Sequence, residues 1–120
     1  MTAHDVVNGY FAAMRKGSSA EEEMMALFTE DVIFIEPFTD NDEPAIGKEA
    51  VRARLRRGWE FPLPEVELDV LAIEVDGPGA RTRWECRSPA LPRPIQGEDQ
   101  YTIRDGKIAR LEVRLLDMDD

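Results

Sequence analysis

Three polar side chains lie on faces of the chain that are otherwise apolar, and their types suit acid–base chemistry. They are Tyr10 on a predicted helix and the carboxylates Glu36 and Asp99 on predicted strands. Burial of a carboxylate without a partner is costly and raises its pKa toward neutrality. Because a carboxylate of that kind suits a general base, these residues suggest proton transfer.

The stretch Val32–Pro37 predicts a strand that is covered on both sides, because both of its faces are apolar. Glu36 points in the same direction as Val32 and Phe34, and the proline that follows stops the hydrogen-bonded ladder. Two interpretations of Glu36 stay open at this point. Either its carboxylate is desolvated and acts as a base, or the strand has already surfaced and the carboxylate is solvated.

Tyr10 and Asp99 raise the same question of what their polar atoms meet. Tyr10 lies in the middle of the apolar face of the first helix, where its hydroxyl either meets a backbone carbonyl or points into a cavity. Asp99 alternates with its neighbours so that it shares a strand face with Tyr101 and Ile103, which predicts that it faces the core. The apolar helical face consists of Val6, Val7, Tyr10, Phe11 and Met14.

The elements that position these residues follow the order helix, helix, strand, helix and then a run of antiparallel strands. This order defines an α+β fold. The second helix is predicted to begin at Ser19 with a capping box to Glu22, and the third begins after Gly47. We expect three N-terminal helices packed on a curved, mostly antiparallel sheet that encloses a pocket, within a single domain over residues 1–120.

Two local features of these elements carry further predictions. The apolar alternation changes parity near residue 70, which predicts a β-bulge in the strand that begins at Val66. Four arginines lie mostly off the apolar stripe of the third helix, and in an acidic chain we expect them to pair with nearby carboxylates. They are Arg52, Arg54, Arg56 and Arg57.

Composition excludes several classes of function. The 120 residues carry a formal net charge of −10, whereas nucleic acids and anionic membranes select basic surfaces. No apolar run approaches the ~20 residues of a membrane span, and Met1–Tyr10 lacks the features of a signal peptide. The single cysteine, Cys86, forms no intrachain disulfide and is expected in the core, so we expect a cytoplasmic protein. With His4 as the only histidine, we expect no metal site and no histidine-activated nucleophile.

These residues resemble a known family over roughly Val6 to Leu116. The landmarks are Val-Val-x-x-Tyr-x-Ala-Ala from Val6, Ala-Leu-Phe from Ala26, the pair Glu36-Pro37, and Asp99 two residues before an aromatic. In this order they are similar to the nuclear-transport-factor-2-like (NTF2-like) superfamily with its cystatin-like cone, in the branch of SnoaL-like proteins and ketosteroid isomerases. The resemblance implies a homodimer that uses no cofactor.

The resemblance also implies residue roles. Glu36 would be the base that moves a proton next to a ketone, while Tyr10 and a protonated Asp99 would donate hydrogen bonds to the enolate oxygen. The isomerases carry aspartate at the base position, and the longer glutamate here moves the carboxylate by about one bond length, which can change the rate ~100-fold. The candidate walls of the pocket are Met25, Phe34, Phe38, Trp59, Trp84 and Leu91.

Three functions follow from these observations. The first is proton transfer on a small steroid-like or polyketide-like carbonyl compound, and the alternative is a pocket that binds a small hydrophobic ligand without chemistry. The third is an interaction domain in which the polar trio is structural. In that case the outward-facing Arg81, Arg83 and Arg87 would pair across a sheet-on-sheet interface. The sequence favours an enzyme slightly over a binding module, and an interaction domain least.

Overall fold

The computed structural model describes residues 2–37, 43–60 and 63–116, and their order of elements is α+β. None of the helices in these ranges is long and apolar enough to cross a membrane. The helical segments are α1 (Ala3–Lys16), a 3-10 turn (Gly17–Ala20), α2 (Glu21–Met25) and α3 (Lys48–Trp59). The strands are β1 (Phe28–Ile35), β2 (Ala45–Ile46), β3 (Glu67–Asp76), β4 (Gly79–Arg87), β5 (Ile95–Arg104) and β6 (Lys107–Leu115).

The helical part corrects the prediction of three packed helices, since α1 and α3 are the two full helices within the described ranges. The segment between them is a 3-10 turn followed by the five residues of α2. The predicted capping box at Ser19 is wrong, because its hydroxyl donates to the carbonyl of Lys16 at 3.0 Å and α2 has no side-chain cap. Helix α3 begins after Gly47 as predicted.

The six strands form one curved sheet in the order β2-β1-β6-β5-β4-β3. All neighbouring pairs are antiparallel except β1 and β6, which run parallel. The predicted bulge in β3 is confirmed, because the register shifts between Val70 and Ala72 and leaves Leu71 about half exposed. Asp105 and Gly106 both have positive φ, the geometry that a two-residue turn between β5 and β6 requires.

The core lies between the helices and one face of the sheet, here called the inner face. Helix α1 packs against β3, β4 and β6, while α3 packs against β1 and β2. Val6 and Val7 on α1 and Ile108 and Leu111 on β6 are fully buried in this layer. The strands alternate between this apolar layer and a polar outer face, as expected for a sheet with one covered side.

Ion pairs join α2 to α3. The Arg52 and Arg56 guanidinium groups both donate to the Glu21 carboxylate, and Arg52 also reaches Glu22. Hydrogen bonds from Arg56 and then Arg52 lower the pKa of Glu21 to about 2. The predicted pairing of the arginines on this helix with nearby carboxylates is confirmed at these positions.

Candidate functional site

Asp99 lies near the middle of the inner face because of its place on β5. The strand pairing sets it opposite Thr82 on β4 and Val113 on β6, and all three side chains are buried. Asp99 is only 2% exposed. The prediction that this aspartate faces the core is confirmed, and the alternation of the strand is the physical reason.

Two donors hold the Asp99 carboxylate. The indole N–H of Trp84 donates to Oδ1 at 2.9 Å, and the hydroxyl of Tyr101 donates to Oδ2 at 2.9 Å. Burial raises the pKa of Asp99 from 3.8 to about 6, and the hydrogen bonds from Trp84, Tyr101 and Thr82 oppose that rise. The carboxyl group is therefore mostly ionised at neutral pH and exchanges its proton near pH 6.

Tyr10 on α1 and Tyr101 on β5 belong to a layer of packed aromatic rings in the core, here called the aromatic layer, which also holds Phe11 and Phe28. The ring of Tyr10 packs edge-on against Tyr101 with 5.8 Å between ring centroids, and Tyr10 is 3% exposed. Burial and the nearby Asp99 charge raise the pKa of Tyr10 well above its ordinary value. Tyr10 also packs edge-on against Phe11 and Phe28.

Glu36 follows the last residue of β1 and is buried, with its side chain 2% exposed. Its Oε2 accepts a hydrogen bond from Nη1 of Arg54 at 2.9 Å, and Nη2 of Arg54 donates to the carbonyl of Glu43. The burial that the first interpretation of Glu36 required is confirmed, but the buried form is an ion pair. This ion pair joins the end of β1 to α3.

Strand register relates the two buried carboxylates to each other. Phe34 on β1 pairs with Leu111 on β6, so continuing the register by two residues brings Glu36 beside Val113. Val113 in turn pairs with Asp99. Glu36 and Asp99 therefore belong to one row of the inner face, with their backbones two strand spacings, or about 10 Å, apart across the sheet.

The predicted pocket walls occupy different surroundings. Met25, Phe34 and Trp84 are buried in the core, and Trp59 is half-buried against it. Leu91 is half-buried in the loop between β4 and β5. Phe38 lies outside the described residues.

A shallow polar depression of about 330 Å³ lies elsewhere, on the outer face of β3, β4 and β5. Its lining includes Glu74, Arg81 and Glu98. This depression does not match the predicted apolar pocket, because the side chains around it are charged. In the described part of the chain, no group of three or more His, Cys, Asp or Glu side chains is arranged to hold a metal ion.

Sequence reasoning missed three partners of the predicted residues. The contact of Tyr101 with Asp99 was predictable, because a residue two positions after Asp99 on a strand lies on the same face. Trp84 was expected only as an apolar wall, whereas its indole N–H is a donor to Asp99. The partner of Glu36, Arg54, lies 18 positions along the chain, and no local pattern predicts that particular contact.

The chain belongs to the SnoaL-like domain family, whose profile matches residues 7–111. A proposed ketosteroid isomerase from Kribbella flavida DSM 17836 is 22% identical with a TM-score of 0.76, covering 97% of this chain and 78% of its own. A proposed polyketide cyclase from Sinorhizobium meliloti is 24% identical with a TM-score of 0.74, covering 92% and 94%. A protein of unknown function with a cystatin-like fold from Methylobium petroleophilum PM1 is 15% identical with a TM-score of 0.76, covering 98% and 77%. These structures show the fold, which is the predicted NTF2-like one, and no curated protein matches the chain.

The raised pKa of Asp99 predicts a pH dependence of stability. The native state holds this proton up to about pH 6, whereas the unfolded chain releases it near 3.8. The buried Asp99 proton therefore contributes roughly 3 kcal/mol to the free energy of unfolding below pH 3.8, and this contribution is lost as the pH rises through 6. Urea unfolding of wild type and Asp99→Asn at pH 4 to 7 measures this. We expect wild type to lose stability relative to the variant across that range, and a constant difference would contradict the buried titration.

Proposed function

We propose that the protein catalyses cofactor-free proton transfer next to a carbonyl group of a small, largely apolar compound. The observation that carries the proposal is the buried Asp99, whose pKa of about 6 lies close to neutral pH. It accepts a hydrogen bond from Tyr101, whose ring packs edge-on against that of Tyr10. A general base works best with a pKa near the operating pH, and a neutral tyrosine is a suitable donor to a developing enolate oxygen.

The roles that fit this geometry differ from those implied by the family resemblance. An Asp99 that donates to an enolate must carry a proton, yet its oxygens accept from Trp84 and Tyr101. Both hydrogen bonds favour the ionised form. We therefore assign Asp99 as the proton acceptor, with Tyr10 as the donor to the carbonyl oxygen. Glu36 is assigned to the ion pair with Arg54, which anchors the end of β1 to α3.

The substrate class rests on the similar structures and on the character of the site. Two of them are described as a ketosteroid isomerase and a polyketide cyclase. Ketosteroids and polyketides both carry carbonyl groups with acidic neighbouring C–H bonds. An apolar ligand of that kind suits a site surrounded by aromatic side chains. Because the ligand is neutral, the protein's net charge of −10 does not repel it.

A β,γ-unsaturated 3-ketosteroid tests the reaction, because isomerisation produces a conjugated enone whose absorbance is followed directly. We expect kcat/KM to rise about tenfold per pH unit up to pH 6 and then to level, since the ionised Asp99 is the active form. Glu36→Gln is expected to keep this profile. A profile that falls through pH 6, together with loss of activity in Glu36→Gln, would return the base to Glu36 and the donor role to Asp99. No turnover at any pH would reject this isomerase reaction.

Binding of a small hydrophobic ligand without chemistry is the second candidate. It is favoured by the hydrogen bonds that hold Asp99 and by its 2% exposure, because a substrate must displace packed side chains to reach it. Planar phenols resemble an enolate and serve as probes. Binding that Tyr10→Phe weakens, together with no turnover of the ketosteroid, would support the binding module over the enzyme.

The proposal extends to the location, the oligomeric state and the partners of the protein. We propose a cytoplasmic homodimer that acts on a neutral small molecule and does not bind nucleic acid or membranes. The acidic net charge and the mixed-charge outer face of the sheet argue against binding of nucleic acid and of anionic membranes. Sedimentation of the purified protein at micromolar concentration measures the oligomeric state, and a monomer would contradict it.

A further inference from the structure

Trp84 lies flat on the backbone of the neighbouring strand at Gly97. The two residues form a cross-strand pair between β4 and β5. A Cβ atom added at Gly97 would lie 2.1 Å from Cζ2 and 2.5 Å from Cε2 of the indole, closer than real side-chain atoms approach. Only glycine at this position therefore lets the indole occupy its present place.

The position of the indole determines where its N–H points. Gly97 precedes Asp99 by two residues on β5, so both lie on the inner face of the sheet. From its place over Gly97, Trp84 directs Nε1 at Oδ1 of Asp99 at 2.9 Å. The tryptophan is only 7% exposed, so water does not substitute easily for this donor.

We propose that Trp84, seated on Gly97, is a positioning residue that sets the orientation and the ionisation of Asp99. The indole N–H donates and never accepts, so Oδ1 remains an acceptor in both protonation states of the aspartate. The Tyr101 hydroxyl, in contrast, donates or accepts as required. A proton taken up by Asp99 is thereby directed to Oδ2, the oxygen that faces Tyr101.

The other titratable groups near Asp99 do not supply this directing effect. Tyr10 approaches from α1, Tyr101 lies on β5, and Glu98 is the adjacent residue on the outer face, where its charge adds to the rise in the Asp99 pKa. Glu36 lies at the other end of the row and carries its own arginine. Trp84 is the contact that favours an ionised Asp99 and has no alternative hydrogen-bonding role.

Direct titration of the Asp99 carboxyl tests the proposal. Protein labelled with ¹³C at the aspartate carboxyl carbons is titrated by NMR as wild type, Trp84→Phe, Gly97→Ala and Trp59→Phe, and Asp99→Asn assigns the signal. We expect the pKa of Asp99 to rise from about 6 by about one unit or more in Trp84→Phe, because the charged form loses a donor. Gly97→Ala is expected to raise it as well, since the added methyl group displaces the indole, while Trp59→Phe leaves it unchanged.

A second variant separates the hydrogen bond from packing. In the Trp59→Phe background, Trp84 is the only tryptophan, so biosynthetic incorporation of 3-benzothienylalanine replaces its N–H by sulfur and keeps the bicyclic shape. We expect the same rise in the pKa of Asp99 with the folded spectrum retained. An Asp99 pKa equal to the wild-type value in this protein and in Trp84→Phe would overturn the proposal.

The catalytic part of the inference rests on the proposed function, whereas the titration needs no substrate. If the enzyme turns over the ketosteroid, the acid limb of kcat/KM is expected to move to higher pH in Trp84→Phe by as much as the pKa moves. A shifted pKa without turnover in wild type would reject the proposed reaction and leave the positioning role of Trp84 intact. Turnover by wild type with an unshifted Asp99 pKa in Trp84→Phe would support the proposed reaction and reject the positioning role of Trp84.

Discussion

Asp99→Asn is expected to lower kcat/KM for the ketosteroid by about 10²–10⁴-fold, the usual contribution of a positioned general base. The amide keeps the shape of the carboxyl group but accepts no proton at neutral pH. Its oxygen remains an acceptor for Trp84, and the Tyr101 hydroxyl, which donates to Oδ2 in the native protein, can rotate to accept from the amide nitrogen. The loss of rate is therefore expected in a protein that is still folded.

The matched control for this variant is Glu98→Gln. Glu98 is the preceding residue of the same strand, but it belongs to the outer face and lines the polar depression there. Its substitution removes the same charge without touching the aromatic layer, so kcat/KM is expected to stay within about twofold of wild type. Wild-type activity in Asp99→Asn, with circular dichroism confirming the fold, would contradict the assignment of Asp99 as the base.

Arg54→Met is expected to lower the free energy of unfolding by roughly 3 kcal/mol or more. The substitution leaves the Glu36 carboxylate, 2% exposed, without the guanidinium that now lies 2.9 Å from it. A buried charge that loses its ion-pair partner keeps its desolvation cost and loses the compensating attraction. The donor to the Glu43 carbonyl is lost as well.

Chemical denaturation of a small set of variants isolates the ion pair. Arg57→Met removes a charge from an exposed position of the same helix and is expected to change stability by no more than about 0.5 kcal/mol. Glu36→Gln combined with Arg54→Met is expected to recover part of the loss, because no buried charge remains. Additive losses in the double variant would show that the two side chains contribute independently and would contradict a stabilising pair.

The sequence by itself determined which faces of the elements enter the core. Alternation in strands and the 3.6-residue period of helices are local properties, so Tyr10 and Asp99 were predicted to face inward and do so. The bulge near residue 70 was predicted from the same alternation. For Glu36, the local pattern left burial and solvation equally open, because a strand end gives no information on what covers it.

Only the tertiary structure decided which partner each buried polar group has. Trp84 reaches Asp99 because β4 and β5 pair in one particular register and because Gly97 leaves room for the indole. Arg54 reaches Glu36 because α3 packs against β1. The neighbour of β1 in the sheet is β6, which runs parallel to it. These contacts join residues that are far apart in the chain, so no local pattern predicts them. Desolvation and the placement of hydrogen-bond donors, rather than residue type, determine whether a carboxylate acts as a base or as half of an ion pair.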